Sequence, residues 1–387
     1  MTGLAKTSYS ETTADPAALL ELSERDRIEN VLVDTLVPAI YPAVDVPGGG
    51  TRWTRAQALT WLRFLARHLD RLGTTDLAWW QLQHALHSRD FRLVFGLFTG
   101  IAVALVGALT GGLKGGLQHG LMGGLKDATF GLMFGLAAGL AVRTSPEPGV
   151  VRCLAGGLLG GLAGGIAYGV IDIETSGFPQ GLVFGIGNGT MIGMLAGLAD
   201  DMSPAQLRVR VFLSFRGLVR PLTAGVALGL FLSLVSVLLA NPAIAFIGAF
   251  IAAIATSLVI GSRGALGARV DITRATSPSS VWQEDRTTAV VYALVSSLTG
   301  AVVVGLVAVL VTGPAIGVEF AVLFGVMYGL AGASFTAWYR YLIARAYLSV
   351  RGRLPWSLMA FLADAHRRGL LRQVGAVYQF RHARLQE

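Results

Sequence analysis

The stretch "GGLKGGLQHGLMGGLK", from Gly111 to Lys126, repeats with a period of four residues. Its repeated glycines are Gly112, Gly116, Gly120 and Gly124, and a leucine follows each of them. Residues four apart lie on nearly the same face of a helix, so the repeat forms a smooth strip of small residues beside a strip of leucines. The period predicts packed helices on either side of a turn, rather than a flexible linker.

The same stretch combines glycine with lysine, as phosphate-binding loops do. A Walker loop, however, needs the pattern G-x-x-x-x-G-K-[ST] after a strand. Lys114 follows a glycine after one leucine, and no Ser or Thr comes after it. No HExxH, CxxC or GxSxG motif occurs, and the single cysteine, Cys153, excludes a thiolate metal cage. We therefore expect no cofactor, no metal and no catalytic activity in this chain.

The composition places the chain in a membrane. Of 387 residues, 53% are hydrophobic and 14% are charged, and the mean hydropathy is +0.61. Soluble globular proteins carry about 25% charged residues. The 50 glycines stand among Leu, Ala and Val, which is typical of membrane helices that approach each other closely.

Apolar stretches of about 20 residues are expected to cross a bilayer as helices. The sequence predicts an all-α polytopic membrane protein with eight such spans, arranged as four glycine-rich hairpins. The spans cover residues 92–112, 120–142, 150–171, 180–199, 222–240, 243–261, 289–312 and 318–339. They make up a transmembrane domain over residues 92–340, between a cytoplasmic helical region (1–91) and a cytoplasmic end (341–387).

The arginines give the orientation. All 28 lie in the segments that eight spans would place on one side, or at the span ends that border those segments. The only positively charged residues on the opposite side are Lys114 and Lys126. Cytoplasmic loops are enriched in Lys and Arg, so both termini are predicted to be cytoplasmic and the location is the inner, or plasma, membrane.

The glycine period continues in the third and fourth spans. Its members there are Gly156, Gly160 and Gly164, followed by Gly181, Gly185, Gly189, Gly193 and Gly197. We expect these positions to pack helix against helix, since glycine permits close backbone approach in lipid. The last four spans are expected to pack in a more ordinary way. Helices that slide or gate a pore along these grooves are the alternative.

Four charges near the outer ends of spans are candidate pore or outer-rim residues: Lys114, Lys126, Asp127 and Glu319. Charges at membrane depth are functional candidates by default. Interfacial anchoring is the alternative, because none of the four lies at the centre of a span.

The polar ends have their own patterns. A helix is predicted from Thr54 to Leu72 with Gly73 at its end, and Trp79 and Trp80 are expected to anchor at the lipid interface. Three Ser-Pro turns, "TSPEP" (144–148), "MSPAQ" (202–206) and "TSPSS" (276–280), predict helix N-caps or simple turns.

The C-terminal end is predicted to fold as a helix that closes at Gly369, followed by a hairpin around Gly375. A helix followed by a hairpin is the ending of a winged-helix module. Its arginines are expected to face lipid headgroups or solvent.

"LPWSLMAFLADAHRRGLLRQVGAVYQFRHARLQE" (354–387) resembles the helix–hairpin–"F-x-H-x-x-x-Q-E" ending of NACHT-type STAND NTPases. "ERDRIENVLVDTLVPAIYP" and "RAQALTWLRFLARHLDRLGTTDLAWWQL" are similar to segments that follow the NTPase core in multi-span bacterial, actinobacterial-type members. The P-loop, the Mg²⁺-binding acidic strand and the sensor residues of that family have no counterpart here. The resemblance implies the membrane-spanning C-terminal half of such a protein, without its NTPase core.

The expected role is a non-catalytic membrane anchor or effector of a NACHT-like signalling system, with bacterial defence as a setting. Its expected partners are the lipid bilayer and an NTPase supplied in cis or in trans, and a homo-oligomer is left open. The alternative is an independent channel or small-solute transporter. A DNA-binding membrane regulator is a third class, which the membrane setting of the arginines disfavours.

Overall fold

The computed structural model describes residues 40–41, 52–112, 128–129, 131–140, 142, 150–171, 204–207, 254, 267–269, 277–334 and 336–381. In chain order the elements are α1 (Arg55–Leu72), a 3₁₀ helix (Trp79–Ala85), α2 (Ser88–Gly112), α3 (Gly131–Leu140), α4 (Val150–Ile171), β1 (Ala205–Leu207), β2 (Gly267–Arg269), α5 (Pro278–Thr312), α6 (Pro314–Ala333), α7 (Ala337–Val350), α8 (Leu358–Arg367), β3 (Leu371–Val374) and β4 (Val377–Phe380). The described part of the chain is mostly helical, as the sequence predicts.

The chain divides into two compact units. The first, called the flanking unit here, contains Met1–Gln81, Asp271–Ser280 and Arg345–Glu387. The second, called the helical unit, contains Leu82–Val270 and Val281–Ala344. The segments before and after the apolar helices therefore belong to one unit. From the sequence they were predicted as two separate cytoplasmic ends.

In the flanking unit, α1 begins and ends as the sequence predicts. The Thr54 hydroxyl accepts a hydrogen bond from the Gln57 backbone N–H, and the Gln57 side chain accepts one from the Thr54 N–H, which makes a capping box. At the other end Gly73 has φ +62°, a left-handed conformation that glycine adopts without strain. The apolar face of α1 is buried at Ala58, Leu62, Leu65 and Leu69.

The predicted helix and hairpin of the C-terminal end are confirmed. The inward positions of α8, namely Leu358, Phe361, Leu362 and Ala365, are all buried. The strands β3 and β4 pair antiparallel around the turn at Gly375, with Leu371 opposite Phe380. Phe361 lies between the two flanks of the chain, because its ring stacks on Trp53 at 6.1 Å and meets Trp61 edge-on at 5.1 Å.

In the helical unit, three described helices are long and apolar enough to cross a membrane: Ser88–Thr110, Pro278–Leu310 and Pro314–Ala333. The helix α4 also covers the predicted span 150–171. The predicted span 120–142 is described only in part, with α3 inside it. The predicted spans 180–199, 222–240 and 243–261 lie outside the described residues, except for Ile254.

Two helix boundaries differ from the prediction. The helix α5 begins at Pro278, well before the predicted span 289–312, because the Ser277 hydroxyl caps it by accepting from the Ser280 N–H at 3.1 Å. The predicted span 318–339 is divided, since α6 ends at Ala333 and α7 begins at Ala337. The Thr336 hydroxyl accepts weakly from the Tyr339 N–H at 3.4 Å, in the position of a new N-cap.

The second Ser-Pro turn was predicted either to cap a new helix or to be a simple turn, and no helix follows Pro204 in the described residues 204–207. After Pro204, the residues Ala205–Leu207 form β1, which pairs antiparallel with Gly267–Arg269. The backbone groups after Pro204 pair with another strand rather than with a following helical turn. The turn at 144–148 lies outside the described residues.

The two tryptophans expected at the lipid interface are inside the protein. Trp79 is 2% exposed and Trp80 is 8% exposed, and their rings meet edge-on at 5.5 Å. They lie at the start of the 3₁₀ helix, whose tight turn places both indoles against protein. Their role is therefore to stabilise the core of the protein.

Candidate functional site

The candidate rim charges are placed only in part. Lys114, Lys126 and Asp127 lie outside the described residues. Glu319 is half-buried near the start of α6. It is the sixth residue of α6 and therefore lies in the second turn, beyond the first-turn positions where a carboxylate interacts with the helix dipole.

The helices α2 and α3 approach each other backbone to backbone. A Cβ added at Gly96 would lie 2.7 Å from the Gly135 carbonyl oxygen, and one at Gly100 would lie 3.1 Å from the Gly135 Cα. Gly139 lies against Gly96, and Gly131 lies against Ala104, so the two helices run antiparallel. The contact has no room for side chains, as expected where lipid offers no hydrophobic driving force and close packing holds helices together.

The glycines of the predicted packing series are described in part. Gly160 on α4 is buried against Ala137 of α3. Gly112 ends α2, and Gly156 and Gly164 lie within α4. The remaining members, Gly116, Gly120, Gly124, Gly181, Gly185, Gly189, Gly193 and Gly197, lie outside the described residues. Gly96 and Gly100 were not singled out from the sequence, although their four-residue spacing carries the same signal.

The helices α5 and α6 also pack through glycine, contrary to the expectation of ordinary packing in the last spans. A Cβ added at Gly300 would lie 2.7 Å from the Tyr328 ring, and one added at Gly329 would lie 3.2 Å from the Ser297 Cβ. Gly317, near the start of α6, lies against Val309 near the end of α5, which makes the pair antiparallel. Six glycines line this contact, and serines and alanines such as Ser297 and Ala321 fill many of the facing positions.

The opposite faces of these helices are apolar and exposed. On α5 the exposed residues recur every fourth position: Val290, Leu294, Leu298, Val302, Leu306 and Leu310. On α2 they are Leu93, Leu97, Ile101, Leu105 and Leu109. Water-soluble proteins rarely expose a continuous apolar face of this length. Such stripes are suited to contact with lipid tails.

A buried carboxylate lies near the N-terminus of α7. Asp285 of α5 is 0% exposed, and its Oδ2 accepts a hydrogen bond of 2.5 Å from the Trp338 backbone N–H. The first N–H groups of a helix have no partner within that helix. Asp285 supplies such a partner from another helix, and its negative charge meets the positive end of the α7 dipole.

A basic pair lies in the same unit. Arg340 of α7 is 7% exposed. Burial and the nearby Arg340 guanidinium lower the pKa of His84 below its ordinary value of 6.5, because both disfavour the charged imidazole. His84 is half-buried and His87, three residues on, is exposed, so the two histidines have different environments.

In the flanking unit, a polar cluster joins the segment before the helices to the segment after them. The Tyr41 hydroxyl donates to Asp364 Oδ2 at 3.2 Å, and Arg368 Nε donates to the same oxygen at 2.9 Å. Arg368 Nη1 also donates to the Ile40 carbonyl at 3.3 Å. Burial, followed by the charge of Asp364, raises the pKa of Tyr41, so the phenol remains a hydrogen-bond donor at neutral pH.

A backbone contact joins the same two segments. Leu77 and Tyr378 pair as an antiparallel bridge, with the Leu77 N–H donating to the Tyr378 carbonyl at 2.7 Å. Leu77 thereby extends the β3–β4 hairpin at the β4 edge. Beside it, the Gln379 amide donates to Asp76 and accepts from Arg372 Nε at 2.9 Å.

The sequence analysis did not predict these two contacts between the flanks. Tyr41 and Asp364, like Leu77 and Tyr378, are separated by the whole apolar region, and no local spacing rule connects them. The signal available was the winged-helix pattern itself, whose hairpin leaves a strand edge for an earlier segment. Among the described residues, no three His, Cys, Asp or Glu side chains gather in a way that would hold a metal ion.

Comparison of the chain with protein-family models, curated proteins and solved structures gives no match.

Proposed function

We propose that the chain is a multi-pass inner-membrane protein of eight spans in four hairpins, with both termini in the cytoplasm. Three helices of spanning length and the exposed apolar stripes of α2 and α5 support this proposal. The arginine distribution supports the orientation, since the side that eight spans assign to the exterior carries no arginine.

Its role is that of a membrane anchor and effector in a NACHT-like signalling system, without catalysis of its own. An NTPase, in cis or in trans, acts on the flanking unit, and the glycine-packed helices respond. The resemblance of the two polar ends to NACHT-type proteins motivates the choice of partner, and bacterial defence is the setting it suggests.

One observation carries the mechanism: the flanking unit is assembled from both sides of the apolar region. Arg368 binds Asp364, the Ile40 carbonyl and the face of the Tyr41 ring, so it ties the two sides together. The chain leaves this unit at Gln81, passes through it again at Asp271–Ser280, and returns to it at Arg345. A partner that rearranges the unit therefore pulls on the first and the last apolar helices at the same time.

The glycine contact between α2 and α3 is the part of the helical unit that responds to a rearrangement of the flanking unit. Where α2 meets α3, glycines on both helices bring backbone against backbone. A helix pair of this kind shifts along its axis with less steric hindrance than one with interdigitated leucines. A pull on α2 is expected to change this contact before it changes the others.

The experiment expresses the chain with and without a NACHT-type NTPase and follows membrane conductance and cell viability. The variant Arg368→Gln, which weakens the junction, is expected to lose the effect of the NTPase. Arg367→Gln is the matched control, because that side chain is 75% exposed against 25% for Arg368.

Three results count against the proposal. If neither conductance nor viability ever changes, the effector role fails. If purified protein moves a solute across liposomes without a partner, the chain is an independent channel or transporter. If Arg367→Gln and Arg368→Gln behave alike, the junction does not transmit the signal.

A further inference from the structure

The turn between α7 and α8 carries large apolar side chains on its surface. Val350 is 76% exposed and Trp356 is 59% exposed, and Arg351 and Arg353 are exposed between them. Tryptophan beside arginine, with an exposed aliphatic residue, is the composition of protein surfaces at the membrane interface. The segment 350–356 is called the Trp356 turn below.

The Trp356 turn is held in place. Gly352 has φ +67°, which glycine alone adopts readily, and its N–H donates to the Ser349 carbonyl at 3.0 Å. The Arg353 N–H reaches back to the Leu348 carbonyl at 2.9 Å, which completes a Schellman motif. Leu354 is 2% exposed and anchors the turn from inside. The exposure of Val350 and Trp356 is therefore built into the fold.

The surrounding surface is basic. Arg353 lies 6.0 Å from the centre of the Phe64 ring, which places it beside α1. On that helix Arg63, Arg67 and Arg71 are exposed and follow each other at four-residue spacing. In the described part of the flanking unit the only acidic side chains are Asp70, Asp76 and Asp364, and Asp364 is paired with Arg367 and Arg368.

We propose that the Trp356 turn docks on the anionic headgroups of the membrane that the chain's own helices cross. Arg351 and Arg353 bind lipid phosphates, while Trp356 and Val350 enter the boundary between headgroups and acyl chains. The exposed Val350 favours lipid over nucleic acid as the binding partner. An aliphatic side chain is stabilised by burial among acyl chains, whereas a phosphate backbone offers it no apolar contact.

Chain connectivity keeps the membrane within reach. The flanking unit ends at Gln81 and the first spanning helix begins at Ser88, a link that stretches to roughly 25 Å at most. Each basic residue near an anionic surface raises the docking equilibrium about fivefold. This inference requires the membrane location of the proposed function and is independent of the NTPase.

The experiment uses the full chain in vesicles. Cys153, the only cysteine, is replaced by serine, and a bimane fluorophore is attached at Val350→Cys. Val374→Cys is the matched control, because Val374 of β3 is also a surface valine of the flanking unit, at 47% exposure. Vesicles contain doxyl-labelled lipid in phosphatidylcholine alone, or in equal amounts of phosphatidylcholine and phosphatidylglycerol.

Quenching at position 350 is expected to exceed that at position 374 and to rise with phosphatidylglycerol. The double variant Arg351→Gln, Arg353→Gln is expected to lower the ratio of docked to free turn by about 30-fold. Equal quenching at both positions, or quenching that ignores phosphatidylglycerol, would overturn the proposal. Displacement of the turn from vesicles by duplex DNA at physiological salt would assign the surface to nucleic acid instead, which also overturns it.

Discussion

The hydroxyl of Tyr41 donates a hydrogen bond of 3.2 Å to the carboxylate of Asp364, although 323 positions separate the two residues. Asp364 also accepts from Arg368 and Arg367. A single carboxylate thus holds a residue from before the apolar helices and two from after them. Its loss is expected to affect the whole flanking unit.

The variant Asp364→Ala is expected to lower the free energy of unfolding of the flanking unit by about 1–3 kcal/mol, because it removes the acceptor of the buried Tyr41 hydroxyl and of Arg368 Nε. Asp70→Ala, on the exposed face of α1, is the control and is expected to change little. Thermal unfolding in detergent, followed by limited proteolysis, measures both. Equal unfolding temperatures for the two variants would contradict the role of Asp364.

Gly135→Val is expected to disrupt the contact of α3 with α2. Its Cβ would overlap the Gly96 carbonyl and Gly100, both of which are backbone and cannot rotate away. The expected cost is about 1–3 kcal/mol or more, seen as a lower unfolding temperature of the purified protein. Ala155→Val is the control, since Ala155 is exposed on α4. If the glycine variant unfolds at the temperature of its control, the close contact does not contribute to stability.

Asp285→Ala is expected to destabilise the start of α7 by about 0.5–2 kcal/mol, as removal of an N-cap does. Asp285→Asn keeps an oxygen acceptor for the Trp338 N–H and should recover part of the loss. Proteolytic cleavage within residues 334–340 is the measurement, and the exposed Gln283→Ala is the control. Identical cleavage in the Ala and Asn variants would mean that the hydrogen bond is unimportant.

Leu298→Arg tests the lipid contact of α5, where Leu298 is 66% exposed. Arginine at the centre of a spanning helix costs about 2.5–3.5 kcal/mol in membrane insertion, so the inserted fraction should fall in a translocation assay. Leu72→Arg, at a position 37% exposed in the flanking unit, should insert normally. Normal insertion of Leu298→Arg would indicate that this face of α5 meets water or protein.

The lowered pKa of His84 predicts a loss of stability in acid. Unfolded chains protonate this histidine near pH 6.5, while the folded protein does so only at a lower pH. Below pH 6.5 the unfolded state therefore binds more protons, and the free energy of unfolding falls until the pH drops below the folded pKa. Unfolding temperatures measured from pH 7.5 to 5 should fall less for His84→Gln than for the parent protein. His87→Gln is the control, and a parallel decline in all three proteins would rule out His84 as the source.

Local patterns predicted local structure well. Thr54 and Gly73 marked the two ends of α1, and the hairpin at Gly375 followed from alternation on both sides of a glycine. In the helical unit, hydropathy predicted α4 over its observed range. Such signals act over a few residues, through capping, turn geometry and periodicity.

Long-range relationships were not predictable from spacing. Trp79 and Trp80 have the composition of interface anchors, yet tertiary packing buries both. A strand follows Pro204, where the Ser-Pro pattern predicted a helix N-cap or a simple turn, and the partner strand at Gly267–Arg269 is distant in the chain. The sequence put Glu319 near the start of a helix, where it lies. No local pattern predicted the hydrogen bonds around Asp364, because Tyr41 is distant from it in the chain.

The bridge between Leu77 and Tyr378 has a consequence for synthesis. Leu77 leaves the ribosome about 300 residues before its partner, a delay of roughly 15–60 s at elongation rates of about 5–20 residues per second. Throughout that interval the first flank has no hairpin to join, and the apolar helices are released one after another. The flanking unit can close only after the last of these helices has been made. A closed flanking unit therefore indicates that the whole apolar region has been translated.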